Sequence, residues 1–126
     1  MGRGFVGSEK FQRMNLEAGN IVWCDLDPVI GNEQGGRRPA LVISSLDYSM
    51  SMSHMTLVVP CTTRQRPWPN HVPLSGPTGL TGQTFAITEQ PRAISVQRIR
   101  KIVGRVDEPS LARVSKWVHV WQHQAA

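Results

Sequence analysis

The chain has 126 residues, enough for one domain with its own core and too few for a second. Fourteen lysines and arginines against nine aspartates and glutamates give a formal charge of +5. That balance favours a polyanionic partner, nucleic acid first and an anionic membrane or acidic protein next, with a merely basic, soluble surface as the plain alternative. No run of about 18 apolar residues occurs and residues 1–20 lack the apolar centre of a secretory signal, so no membrane contact is expected and the cytoplasm is the expected compartment.

Residues 1–18 mix glycine, charge and serine without a period and predict a flexible N-terminal tail ahead of a single domain over residues 19–126. "NIVWCDLD", residues 20–27, predicts a first strand that Pro28 ends, and "PALVIS", residues 39–44, a second one buried on both faces. "YSMSMSHM" reads as a polar connection or an edge strand. "TLVVPCTT", residues 56–63, predicts a third strand that Pro60 restricts to an edge or a bulge. After the proline-stiffened "RQRPWPN", short strands follow in "HVPLS", "TFAITEQ", "AISV" and "RIRKIVGRV", with "GPTGLTG" as a turn cluster. Asp107 and Pro109 signal a terminal helix whose apolar stripe is Leu111, Val114, Val118 and Trp121. The expected fold is mainly β: a small, curled antiparallel sheet or barrel with a C-terminal helix packed on it.

The least ordinary composition lies in "GNEQGGRRPALVIS", residues 31–44. Glycines allow close backbone approach, and an arginine held before Pro39 is biased to extended backbone, from which its planar fork suits a phosphate. The alternative is that Arg38 pairs with Glu33 or Asp27 and only ties the loop down. Thr62 and Thr63 end the third strand, where hydroxyls reach phosphate oxygens but where threonine is also simply a good strand former. Arg64, Arg66, Trp68 and His71 interleave cations and rings, as single-stranded nucleic acid or a partner protein would require. Glu89, Gln90 and Arg92 repeat the acid, amide and arginine theme, or form a salt-bridged turn. Arg98, Arg100, Lys101 and Arg105 are either a solvated face or a phosphate track. Cys24 and Cys61 sit in apolar runs, and His119 and His123 have no third ligand, so neither a metal nor any other cofactor is expected.

Four motifs in register, "GNIVWCDLDPVIGNEQGGRRPALVIS", "VVPCTT", "LSG" and "TEQPRAI", resemble the MazF/PemK toxins of bacterial toxin–antitoxin pairs. The resemblance implies an SH3-like antiparallel barrel of the MazF/PemK/CcdB type, a homodimer, and a cognate antitoxin that silences it. It further implies metal-independent cleavage of single-stranded RNA, usually messenger RNA, at short sequences, leaving 2′,3′-cyclic phosphate and 5′-hydroxyl ends. By the same resemblance Arg38 and Thr62 are the principal catalytic residues and Glu33 and Glu89 the candidate bases. Gln34, Gly35, Arg37, Arg64, Arg66, Trp68, His71, Gln90 and Arg92 are then candidates for RNA contact. Ile87 stands where one subgroup carries a second catalytic arginine, which favours the Arg38 and Thr62 arrangement. A gyrase poison of the CcdB type and a non-catalytic RNA-binding module are the competing functions.

Overall fold

A computed structural model describes residues 16–26, 36–44 and 54–124. Three strands carry the interior: Asn20–Asp25 (β1), Arg37–Val42 (β2) and Met55–Thr62 (β3). Side chains alternate across a strand, so their near-continuous apolar runs fill two cores. Val22, Cys24, Ala40, Val42 and Val58 enter one; Ile21, Leu41, Val59 and Cys61 enter the other. His71–Pro73 (β4), Phe85–Ile87 (β5), Arg92–Ser95 (β6) and Ile99–Arg105 (β7) complete seven antiparallel strands among the described residues. A C-terminal helix, Glu108–Gln124 (α1), covers the second core with Val114 and Val118.

The spatial order is β4-β5-β3-β2-β1-β7, with β6 also on β3. Among the described residues β4 and β7 form no ladder, so the sheet is open, which is the curled-sheet form of the expected fold rather than a closed barrel. Its two ends still meet at one place. Beyond β4, Pro77 O accepts the Arg105 N–H at 3.0 Å and Ser75 O accepts the Asp107 N–H at 2.9 Å. Pro77 has no N–H to give back, which keeps this seam from growing into a strand pair.

Pro60 does not sit on an edge. β3 is an interior strand, with Ala40 opposite Pro60 on β2. The ladder explains the tolerance. Leu57 O accepts the Ile43 N–H at 2.9 Å, so the alternation of an antiparallel strand turns the Pro60 nitrogen to the opposite edge. There the β6 ladder ends at Val58 and the β5 ladder begins at Cys61. The missing donor falls in the gap between them.

β2 starts at Arg37, earlier than Pro39, because Arg37 and Arg38 pair with Asp25 and Cys24 of β1. Of the expected tail, residues 1–15 lie outside the described residues, whereas Leu16 is buried in the first core and Glu17 meets Arg105 at 3.2 Å. Asp107 caps α1 by accepting the Ser110 N–H at 2.9 Å, and the Ser110 hydroxyl and N–H hold its carboxyl below the usual range. Along the predicted stripe Val114 and Val118 are buried, but Trp121 is 38% exposed and stacks on Trp117.

The seam is close enough to demand glycine. A Cβ on Gly104 would stand 2.2 Å from Thr78 O, and one on Gly79, whose φ is +75°, would stand 2.0 Å from Val103 O. Both obstacles are backbone. Gly104→Ala is therefore expected to destabilise the fold by about 1–3 kcal/mol, the range for overpacking a filled site, as read from urea unfolding. An unchanged midpoint would contradict the seam.

Candidate active site

The start of β2 and the end of β3 lie on either side of one opening. Continuing their register two residues beyond Ala40 and Pro60 brings Arg38 abreast of Thr62. Both line an open cleft of about 780 Å³. Trp23 of β1 and Pro39 give it an apolar wall, and Gly36, Arg37 and Thr63 complete that rim. The opposite wall is Gly79, Leu80, Thr81 and Thr84, from the loop that the seam holds against β7. Cations, hydroxyls and an indole thus share one concavity, a composition that fits a phosphate with a base beside it.

Thr62 is oriented by its own chain. Its Oγ1 accepts the Arg64 N–H at 3.1 Å, which occupies a lone pair and leaves the hydroxyl proton to be donated elsewhere. Cys61 also lines the cleft, but burial pushes its thiol far up, and burial pushes Cys24 up to about 11. Neither is a thiolate at neutral pH, so neither supplies a nucleophile.

Glu33, Gln34 and Gly35 lie outside the described residues. Arg64, Arg66, Trp68, His71, Glu89, Gln90 and Arg92 do not line the cleft. The Arg66 guanidinium lies 4.9 Å from the Trp68 ring centroid, and Trp68, 46% exposed, meets the His71 ring edge-on at 5.0 Å. Glu89 is engaged at both oxygens: it accepts from Asn70 Nδ2 at 2.7 Å and meets His71 Nε2 at 3.1 Å. Gln90 closes a turn through its N–H onto Ile87 O at 3.1 Å, and Arg92 pairs with Val58 in the sheet. Trp23, Leu80, Thr81 and Thr84 were not foreseen. Trp23 reads as a strand former and the other three as turn filler, and only the fold brings them to Arg38.

Beside the cleft, Asp25 gathers basic side chains. Its Oδ1 accepts from Arg37 Nε at 3.1 Å, its Oδ2 from Arg100 Nε at 2.9 Å and from the same guanidinium's Nη2, and its carbonyl from Arg98 Nη1 at 3.3 Å. No helix among the described residues is long and apolar enough to cross a membrane.

The family model of the PemK-like, MazF-like toxin of type II toxin-antitoxin systems matches residues 17–121. The chain is 45% identical over 60 residues to the endoribonuclease toxin MazF of Escherichia coli (strain K12). That match covers 48% of this chain and 53% of the relative, so it spans about half the relative's length. Against the endoribonuclease EndoA of Bacillus subtilis (strain 168) the identity is 29% over 110 residues, covering 85% and 94% of the two chains. The crystal structure of MazF (Form-I) from Deinococcus radiodurans superposes with a TM-score of 0.74 at 28% identity, over 85% of this chain and 96% of that one.

The hydrogen bonds from Arg100, then those from Arg37, hold the Asp25 carboxyl below its ordinary value of 3.8. A depressed carboxyl favours the folded state above the ordinary value and loses that contribution as the pH falls through the depressed one. Carbon-detected NMR titration is expected to give a midpoint below 3.8 for Asp25, raised more by Arg100→Ala than by Arg37→Ala. A midpoint at the ordinary value in the wild type would refute the pairing.

Proposed function

Because the chain belongs to the family of PemK-like, MazF-like toxins of type II toxin-antitoxin systems, we propose that it is a toxin endoribonuclease cutting single-stranded RNA at a short specific sequence. The observation that carries this reading is the presence of Arg38 and Thr62 on one cleft, with Trp23 as an apolar wall for a base. Messenger RNA is the main substrate in this reading, met in the cytoplasm. The relatives named endoribonuclease support the reaction class.

The reaction is an internal displacement. The 2′-oxygen attacks phosphorus, the bond to the 5′-oxygen breaks, and the ends are a 2′,3′-cyclic phosphate and a 5′-hydroxyl. Three tasks arise: a base for the 2′ proton, stabilisation of charge on the non-bridging oxygens, and a proton for the departing oxygen. Arg38 takes the second task. A guanidinium keeps its proton at neutral pH and offers two parallel donors, so it acts through charge and hydrogen bonds. Thr62 adds the hydroxyl proton that its bond from the Arg64 N–H leaves available.

Glu33, three residues ahead of Gly36 in the chain, is assigned the base, while Glu89 is occupied by Asn70 and His71. Water in the open cleft protonates the leaving oxygen. Side chains and solvent perform every step, so the cut needs no metal. In this reading Gln34, Gly35 and Arg37 position the strand, and Arg64, Arg66, Trp68, His71, Gln90 and Arg92 offer contacts further along it. A homodimer and a cognate antitoxin complete the reading, the latter supported by the toxin-antitoxin description of the family.

The test is cleavage of a mixed-sequence single-stranded RNA in EDTA, with the ends mapped and their chemistry assigned. Wild type is expected to cut and leave cyclic phosphate. Arg38→Ala is expected to lower kcat by about 10²–10³, as loss of a charge-stabilising donor does, and Thr62→Ala by about tenfold, the worth of a neutral hydrogen bond. Glu33→Gln should abolish the limb of the pH–rate profile that reports the base. A folded wild type that makes no cut would overturn the endoribonuclease reading and leave the gyrase-poison and RNA-binding alternatives, which topoisomerase inhibition and RNA retention separate.

A further inference from the structure

The junction of β1 with β7 breaks its own register. Ile102 stands opposite Val22 and Lys101 opposite Trp23, but Ile99, not Arg100, stands opposite Cys24. Arg100 is thus an inserted residue, a β-bulge. Regular alternation would turn it to the face opposite that of Lys101. A bulge bends the strand and re-aims a side chain, and here it delivers the Arg100 guanidinium to Asp25 Oδ2 through two donors, Nε at 2.9 Å and Nη2. Asp25 stands opposite Arg37 on β2, and its other oxygen takes the Arg37 Nε–H at 3.1 Å.

Stability alone is a weak reason for this arrangement. The Arg37 and Arg100 side chains are 62% and 51% exposed, and ion pairs so open to water contribute little. The Asp25 bonds use one donor of Arg37 and two of Arg100, so each five-donor fork keeps outward N–H groups for an anion. One Asp25 carboxylate set against Arg37 and Arg100, with the Arg98 guanidinium on the same residue's carbonyl, leaves the cluster cationic.

The cluster is continuous with the cleft. Pro39, Trp23 and Lys101 are cross-strand neighbours in one row over β2, β1 and β7, and the first two line the cleft. An indole flanked by cations is what a single strand needs: a face on which a base stacks and charges that follow the backbone. We infer that Trp23, Arg100 and Lys101 form a second RNA subsite beside the scissile position, which takes the flanking nucleotide, and that Asp25 is a positioning residue holding Arg37 and Arg100 at the phosphate spacing. This rests on the RNA-cleaving reading and extends it to substrate length: an RNA that reaches over β1 to β7 binds better than one confined to the cleft.

The test compares a short oligonucleotide that fills the cleft with the same sequence extended on both sides. It also measures affinity for the 2′-O-methyl form of the long one against salt. Wild type is expected to favour the long substrate through a lower KM. In the Arg100→Ala/Lys101→Ala double variant that preference should vanish and the salt slope should fall by about 1.4, at about 0.7 per phosphate contact on a single strand. Lys101→Ala alone, at an exposed position of β7, should lower the slope by about 0.7. Asp25→Asn should raise KM for the long substrate more than it lowers kcat, a split that general loss of fold would not produce. Folded variants that keep the wild-type slope and length preference would overturn the subsite, as would a wild type that cuts both substrates with equal KM. A wild type that neither binds nor cuts would overturn the parent reading and the subsite together.

Discussion

The cleft depends on a backbone seam. Residues 75–79 run against the end of β7, and the hydrogen bonds from Arg105 N–H to Pro77 O and from Asp107 N–H to Ser75 O join the two ends of an otherwise open sheet. The close approach requires that no Cβ stand at Gly79 or Gly104. The same contact does two jobs. It holds the sheet's curl, and it fixes the loop whose Gly79, Leu80 and Thr81 form the wall facing Arg38. The helix is tied to it as well, since Ser110 Oγ of α1 accepts the Ser75 N–H at 3.0 Å and Ser110 bonds the cap residue Asp107. A binding wall built on a loop gains the rigidity of the sheet in this way, which is what positioning a reacting phosphate requires.

β3 is the second support. It contributes Val58 to one core and Val59 and Cys61 to the other, pairs with β2 on one edge, and is shared by β5 and β6 on the other. Pro60 sits where that second edge changes partner. An ordinary residue there would present a donor with no ladder to receive it, so a proline interrupts nothing. Beyond it the strand delivers Cys61 and Thr62 to the cleft, with Thr63 just past its end. The Arg64 N–H, two residues past the end of the strand, turns the Thr62 oxygen.

Much of this was legible in the residues. Apolar runs at 20–25, 39–42 and 56–62 are strands because a strand buried on both faces needs no alternation, and the Asp107 cap with Val114 and Val118 spells the helix. Arg38 and Thr62 came from motif resemblance, and their meeting follows from a register that periodicity does not specify. Pro60 was misplaced because its tolerance depends on where two neighbouring ladders stop. Leu80, Thr81 and Thr84 could not be anticipated: the contact that gives them a role joins residues 75–79 to 103–107, and local pattern carries no trace of it. The bonding of Glu89 to Asn70 and His71 is also a tertiary fact, since each partner lies 18 or 19 residues away.

A carboxylate in the middle of a basic face looks like a defect for a protein that is to hold a polyanion, and the geometry says otherwise. Guanidinium groups brought together by β2 and β7 repel one another, and without a counter-charge long side chains would spread into solvent and lose their spacing. Asp25 offsets the repulsion at the point where the two strands bring Arg37 and Arg100 nearest. It engages the donors nearest the stems of both side chains and leaves outward ones exposed. An incoming phosphate therefore meets groups whose ordering entropy has already been met in folding, and it competes with a carboxylate only for part of each fork. The acid lowers the total charge that attracts RNA from a distance, and in exchange fixes where that charge is applied.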